Sequence, residues 1–283
     1  MKTDLRQALS SGRLVLTAEC VPPRSGGAAA VKDLSAKLPP NLDAVVVADN
    51  PDEIHGSALA CAALLVREGR DAVLSTSTRD RNRIALESDA LGASALEVGA
   101  ILCLSGNHQS LGVCPQAASA YDIDSIQFAQ AVKALLPESL VGVVAHPYQR
   151  PLELNLLRLK KKVAAGADFV LTEPVFDLAG FTPWMEAVRA AGLDKQTAII
   201  VSVLPLTSVE QAEAVQQRQT YGLLDDAVVE RLRGAADAAR EGLAMAAAAA
   251  AQLKTVPGVK GIHILSGGYE ALAGDVIKAA GLA

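Results

Sequence analysis

The chain is short of the residues and runs that mark special environments, and each gap excludes something. Hydrophobic residues make up 51% of its 283 positions. Even so, no stretch approaches the roughly eighteen consecutive charge-free apolar residues of a membrane span. The longest candidate, Leu243 to Leu253, is mostly alanine and reads as helix. The N-terminal segment MKTDLRQALSSGRLVLTAE carries charges throughout and lacks the apolar centre of a secretory signal. A cytoplasmic location is therefore the expectation.

Cysteine is scarce as well. Cys20, Cys61, Cys103 and Cys114 form no C-x-x-C pair and no metal-ligand spacing with the four histidines. They read as small buried hydrophobes, and no metal site is expected. A basic footprint is missing: net charge is −5, and cations are scattered apart from Lys160-Lys161-Lys162. Nucleic acid is not an expected partner. No composition shift marks a boundary, so residues 1–283 are expected to form one domain.

What the sequence does contain is a rhythm. Short apolar runs recur at Leu14–Glu19, Ala44–Val47, Ala72–Thr76, Ala100–Leu104, Val141–Ala145, Phe169–Thr172, Ala198–Leu204 and Gly261–Leu265. Continuous apolar runs with little alternation suit parallel strands buried on both faces. Helical patterns lie between them: Asn82 to Leu91 stopping at Gly92, Leu154 to Ala165 ending at Gly166, and Trp184 to Ala191 ending at Gly192. Val209 to Gln216 follows Ser208, a good N-cap, and helical stretches are expected over Asp225–Leu253 and Tyr269–Leu282. The pattern from Asn82 carries apolar side chains at Ile84, Ala85, Leu86 and Leu91, and that from Leu154 is expected to put Leu156, Leu157, Val163 and Ala164 inward. Eight β-then-α units in this length predict a (β/α)8 TIM barrel of class α/β.

Barrels of this kind do chemistry where strands end and βα loops begin. The expected tips are Glu19, Asp49-Asn50, Ser75 to Asp80, Ser105 to His108, His146, Thr172-Glu173, Pro205 to Ser208 and Ser266 to Gly268. Glu19 ends a buried run, where desolvation raises a carboxyl's pKa and suits a general acid. The plainer reading pairs it with Arg24 or Arg79 at the rim. In AILCLSGNHQSLG, Gly106 lets backbone approach a planar ligand, with Asn107 and His108 beside it, unless the segment is an ordinary turn. The run Lys160–Lys162 is either a solvated face or a phosphate grip. His263 reads as a satisfied core histidine, and His55 has no evident role.

Several of these segments carry a resemblance. TAECVPPR, TRDRNRIALESDALGA, LCLSGNHQSLG with the trailing YDIDSIQ, RLKKKVAAGADFVLTEPVFD and VKGIHIL together resemble the methylenetetrahydrofolate reductase family, over residues 14 to 266. The resemblance implies a flavoenzyme that binds FAD at the strand tips and reduces 5,10-methylenetetrahydrofolate to 5-methyltetrahydrofolate in one-carbon metabolism. It implies Glu19 as the catalytic acid. Flavin contacts would come from Ser75, Leu104, Ser105, Gly106, Asn107, His146, Arg158, Lys161 and Lys162, and pterin contacts from Asn107 and Glu173. Electrons would come from NAD(P)H or from a partner donor protein, and homo- or hetero-oligomers are expected in such a family. The glycine fingerprint of dinucleotide-binding folds is absent, consistent with a cofactor held at a barrel mouth.

The sequence also departs from the family pattern. Asn107 stands where the family typically has Asp, Glu173 where it has Gln, and Ala48 where Thr is common. Ser266-Gly267-Gly268-Tyr269 occupies the place of a substrate-contacting Arg, and Val209 that of an aromatic. If Glu173 compensates for Asn107, the pterin is still held by a carboxylate. The alternative expectation is a divergent reductase-like subunit, or a binder of a pterin or methyl carrier, without its own nicotinamide-linked activity.

Overall fold

The computed structural model describes residues 4–51, 53–108, 114–218 and 224–282. Eight parallel strands pair in sequence order: β1 (Val15–Cys20), β2 (Ala44–Val47), β3 (Ala72–Ser77), β4 (Ala100–Leu104), β5 (Leu140–Ala145), β6 (Phe169–Pro174), β7 (Ala198–Val203) and β8 (Val259–Ile264). β8 returns to pair with β1, closing a (β/α)8 TIM barrel in one domain. The helices are α1 (Asp4–Ser10), α2 (Gly27–Lys37), α3 (Ala58–Arg67), α4 (Arg83–Ala95), α5 (Ser125–Leu135), α6 (Leu152–Ala164), α7 (Leu178–Ala190), α8 (Val209–Arg218), α9 (Asp226–Gly234), α10 (Ala238–Leu253) and α11 (Leu272–Ala279). Among the described residues no helix is long and apolar enough to cross a membrane.

Two apolar layers explain the continuous strand runs. Strand residues alternate between faces, so Leu16, Ala18 and Cys20 of β1 pack outward under the helices, while Val15 enters the barrel interior. That interior also takes Val46, Val73, Leu102, Phe169 and Ile200, and Leu5 and Ala8 of α1 pack into it. Gly142 is required there: a Cβ on it would sit 2.3 Å from the Phe169 ring.

All eight expected strands are present, β2 and β4 with the expected bounds and the others with ends shifted by one or two residues. The helices differ more. α4 runs through Gly92 to Ala95, because burial of Leu86, Ala90 and Ala93 outweighs the cost of about 1 kcal/mol for a mid-helix glycine. Of its apolar side chains, Ile84 and Leu91 are exposed. On α6 the inward stripe is Leu152, Asn155, Leu156, Leu159 and Val163, which leaves Leu157 and Ala164 exposed. α7 starts before Pro183 because Asp177 caps it, accepting from the N–H groups of Ala179 and Gly180. The stretch from Asp225 to Leu253 is two helices, with Asp225 and Asp237 each capping its own. The last helix starts at Leu272, three residues after the exposed Tyr269. The alanine-rich α10 packs Ala246, Ala247 and Ala250 against the barrel exterior.

Candidate active site

The C-terminal ends of the strands surround a cavity of about 310 Å³. The alternation that sends Val15 into the interior brings Glu19 of β1, Ser75 and Ser77 of β3, Leu104 of β4 and Ser202 of β7 to its lining. His146 and Glu173 join from the ends of β5 and β6. Ser105, Gly106 and Asn107 border it from the loop after β4, and Lys162 reaches it from α6. Of the residues expected to contact flavin or pterin, Arg158 and Lys161 alone stand outside that lining; the expected tips Pro205 to Ser208 and Ser266 to Gly268, and His108, also lie outside it. Arg158 lies four residues before Lys162, on the same helix face, and lowers the pKa of both Lys162 and His146. Lys161, one position round the helix, is exposed.

Glu19 is fixed from β8. The N–H groups of Ser266 and Gly267 both donate to its Oε2 at 3.2 Å. The arginines expected at its rim are engaged elsewhere, Arg24 with Glu53 and Arg79 with Asp80. Below it the His263 ring is 2% exposed, lies 2.9 Å from Thr17 Oγ1, and is pushed down to about 3 by burial. It is a core histidine that also floors the mouth. His55 holds the β1 loop, its Nδ1 2.9 Å from Pro22 O.

The loop after β4 answers for the apolar run that precedes it. Gly106 has φ 75°, and a Cβ there would lie 2.4 Å from Ser77 Oγ and 3.0 Å from Arg79 Cβ. Only glycine lets this backbone turn against β3. The Asn107 carbonyl accepts from Arg79 Nη1 and from Tyr121 Oη, while its side chain stands exposed at the mouth. Ser105 Oγ donates to Ser125 Oγ. The remainder of that segment, residues 109–112, lies outside the described residues. Asp49 is committed to structure: it accepts Ser77 N–H at 2.8 Å and two bonds from Arg81.

On the opposite wall three ionisable groups converge from β5, β6 and α6. His146 Nδ1 lies 3.4 Å from Glu173 Oε1. Lys162 Nζ donates to Val144 O at 2.5 Å. Burial dominates all three: it pushes Glu173 up to about 7 against the opposing charge of Lys162. It pushes Lys162 down to about 8, helped by Arg158. It pushes His146 down to about 4, helped by Lys162 and Arg158. Glu173 is thus a desolvated carboxyl at the mouth that the sequence did not single out as such. His146 is positioned from behind by Asn155, whose Nδ2 donates to the His146 carbonyl at 2.6 Å.

Of two lining serines, Ser77 falls within the expected tip Ser75 to Asp80, while Ser202 escapes a reading of strand tips. Ser77 Oγ and Ser202 Oγ are buried hydroxyls that have no hydrogen-bond partner among the described residues. Ser202 sits inside β7, and the available signal was a polar residue at an inward register position, two after Ile200. Buried polar atoms without partners are uncommon and call for a ligand or water. β6 carries one further irregularity: Leu171 pairs with Ile200 but Pro174 with Ser202, one extra residue on β6. Thr172 Oγ1 fills the gap by accepting Ser202 N–H, and Leu171, Thr172 and Glu173 all border the mouth.

A family model described as methylenetetrahydrofolate reductase matches residues 4–281. The 5,10-methylenetetrahydrofolate reductase of Escherichia coli K12 is 32% identical over 101 residues, 32% of this chain and 33% of that protein. Methylenetetrahydrofolate reductase 2 of Saccharomyces cerevisiae is 36% identical over 74 residues, 24% of this chain and 12% of that protein. The matched segments thus span a third or less of those relatives. Among solved structures, a Clostridium thermocellum protein that binds two copies of 5-methyl-5,6,7,8-tetrahydrofolic acid aligns with a TM-score of 0.71 at 12% identity, covering 99% of this chain and 100% of that one. A 2,3-dimethylmalate lyase aligns at 0.54 and 16% identity, covering 98% and 82%.

Proposed function

Because the chain belongs to the methylenetetrahydrofolate reductase family, we propose that its barrel mouth binds a reduced folate and carries out the flavin-dependent reduction of 5,10-methylenetetrahydrofolate to 5-methyltetrahydrofolate. The observation that carries the reading is convergence. Glu19, Ser75, Leu104 to Asn107, His146, Lys162 and Glu173, drawn from six elements and the loop after β4, border one cavity.

The residues fit a flavin. The glycine-turned backbone of Leu104 to Asn107 presents main-chain groups to the mouth, and Ser77 Oγ and Ser202 Oγ offer unsatisfied hydroxyls. Ser75, His146 and the Leu104–Asn107 loop would hold the ring system, with Arg158 and Lys162 as the cations for phosphate and Lys161 further out. FAD, when bound, supplies the hydride. NAD(P)H or a partner donor protein would supply the electrons to it.

The chain's own residues then have defined tasks. Opening the bridged imidazolidine ring requires a proton on the bridging nitrogen. Glu19 is the mouth carboxyl assigned to deliver it, held in place by the Ser266 and Gly267 N–H groups. Asn107 and Glu173 hold the pterin, and the carboxyl groups of the mouth face the cation that ring opening creates. The Clostridium thermocellum neighbour favours a second reading, a folate-binding protein without reductase turnover.

The deciding experiment is the visible spectrum of the purified protein with and without added FAD. It is followed by anaerobic mixing of the reduced protein with methylenetetrahydrofolate. Flavin bands that bleach on reduction and return on mixing are expected. In the Glu19→Gln variant the return should slow by about 10²–10⁴-fold, the usual size of a general-acid contribution. A colourless protein that takes up no flavin but binds 5-methyltetrahydrofolate would instead establish the second reading.

A further inference from the structure

At the seam where the barrel closes on itself, side chains take over from backbone pairing. β1 pairs with β8 from Val15↔Gly261 to Ala18↔Ile264. On its other side β1 stays paired with β2 two residues further, to Cys20↔Val47. The tip of β1 that carries Glu19 therefore has a strand neighbour on one side only. Two carboxyl groups cross the open seam in opposite directions. Glu19 reaches from β1 to the loop after β8 and accepts the Ser266 and Gly267 N–H groups, each at 3.2 Å. Glu270, carried by that same loop, reaches back to β1 and accepts the Val21 N–H at 3.2 Å. The loop between these contacts is closed by its own bonds: Tyr269 N–H donates to Ser266 O at 2.9 Å, and Gly268 N–H to Ser266 Oγ at 3.1 Å.

Glu270 lies outside the lining of the mouth and is 7% exposed. Among the described residues no lysine or arginine forms an ion pair with it. Burying an ionisable group without an opposite charge is costly, and a barrel exterior needs no carboxyl for its packing. What this one does is supply an acceptor to Val21, two residues beyond Glu19, where no strand on the β8 side offers one. The next residue is fixed from the β2 side, by His55 at Pro22 O.

We propose that Glu270 is the positioning residue for Glu19. By holding Val21 to the loop after β8, it keeps the β1 tip and the Ser266–Gly267 N–H pair at the separation that lets Glu19 bridge them. Release of either crossing bond lets the two tips part and moves the Glu19 carboxyl relative to the mouth. The work is done by reach and acceptance, not by charge. The inference rests on the reading of Glu19 as the acid of the site and deepens it.

Two whole-chain variants separate reach from charge. Glu270→Gln keeps the side-chain length and an acceptor oxygen but loses the charge. Glu270→Asp keeps the charge but is one methylene too short for Val21. The first readout needs no ligand or activity: amide hydrogen exchange of Val21, Ser266 and Gly267, with amides inside β4 and β5 as the reference for global opening. In Glu270→Asp all three should exchange faster by about tenfold, the size expected for one lost hydrogen bond, against an unchanged reference. Glu270→Gln should stay close to wild type. The second readout sets methylenetetrahydrofolate-dependent reoxidation of the reduced protein beside binding of 5-methyltetrahydrofolate. Glu270→Asp should slow reoxidation by about 10–100-fold, the cost of a small misplacement, with affinity changed by no more than about twofold. Added to Glu19→Gln, it should slow reoxidation no further, since both changes act on one group.

Ser266 and Gly267 amides that keep their protection in Glu270→Asp overturn the proposal whatever the protein catalyses. So does a greater loss in Glu270→Gln than in Glu270→Asp, which would make charge the property that counts. Slowing by Glu270→Asp that adds in full to that of Glu19→Gln overturns it as well. Coupled exchange of the three amides in a protein that turns over no methylenetetrahydrofolate upholds the positioning and refutes the reductase reading instead.

Discussion

Within the barrel mouth, two carboxyls are held by different means. Glu19 is gripped by main-chain N–H groups from the loop after β8. Glu173 sits beside a neutral imidazole and an amine already in use. Where two carboxyls of one site are held in different environments, their roles separate with them. Gly106 shows the same economy in backbone form. With φ 75° and Ser77 Oγ 2.4 Å from where a Cβ would stand, Gly106→Ala must shift either β3 or the loop. A loss of about 1–2 kcal/mol is expected from the left-handed backbone and the crowding, read as a lower thermal midpoint together with weaker ligand binding. An unchanged midpoint would mean that the loop has room to move.

The residue-level reading from sequence placed Glu19, Gly106, Asn107, His146 and Glu173 at strand tips because each ends or follows an apolar run, and reached Lys162 through the run Lys160–Lys162 and the family resemblance. It missed the desolvation of Glu173, which is set by packing across β5, β6 and α6 and is carried by no spacing within one segment.

At the level of elements, strands were legible and helices only partly so. A strand buried on both faces announces itself as an unbroken apolar run, whereas a helix on a barrel exterior shows one stripe whose phase is easily misjudged by a position. Leu157 and Ala164 are such cases on α6, displaced from the stripe through Leu152, Leu156, Leu159 and Val163. α1, α2, α3 and α5 gave no assigned pattern at all, although Asp124 caps α5 with a complete capping box through Gln127. α10 yields a prediction that runs against propensity. Replacing a mid-helix glycine by alanine ordinarily stabilises by about 1 kcal/mol. In α10 a Cβ on Gly242 would sit 1.9 Å from Leu206 O, a backbone atom of the loop leading to α8. Gly242→Ala should therefore destabilise by about 1–3 kcal/mol through overpacking, measured by urea denaturation. A gain in stability would show that α10 can lift off that loop.

Across the whole molecule these buried groups shape how stability responds to pH, with opposite signs at the two ends. His146 and His263 are pushed below their ordinary value, to about 4 and about 3. Their contribution is fully present above the unfolded value of about 6.5 and is lost as pH falls through the folded values. Glu173 is pushed up to about 7. Its contribution is fully present below the unfolded value of about 4.3 and is lost as pH rises through 7. Lys162, pushed down to about 8, acts with the histidines: its contribution is present above the unfolded value of about 10.4 and is lost as pH falls through 8. Stability should thus fall below about pH 6, where the two histidines outweigh Glu173, and change little around neutrality, where the opposed limbs cancel. Glu173→Gln isolates the alkaline limb, because an amide has no proton to lose. Relative to wild type, the variant should gain little at pH 5 and progressively more up to about pH 8. In a fully buried group the difference would grow by about 1.4 kcal/mol for each pH unit that separates folded from unfolded titration; the 35% exposure of this side chain reduces the whole gain to about 1–2 kcal/mol. Loss of the Glu173 charge beside Lys162 trims it further, since that amine is then opposed by Arg158 with less compensation. Urea denaturation of the two proteins at pH 5, 6, 7 and 8 measures the difference directly. Curves that stay parallel across that range would mean that Glu173 is as well solvated in the folded barrel as in the unfolded chain.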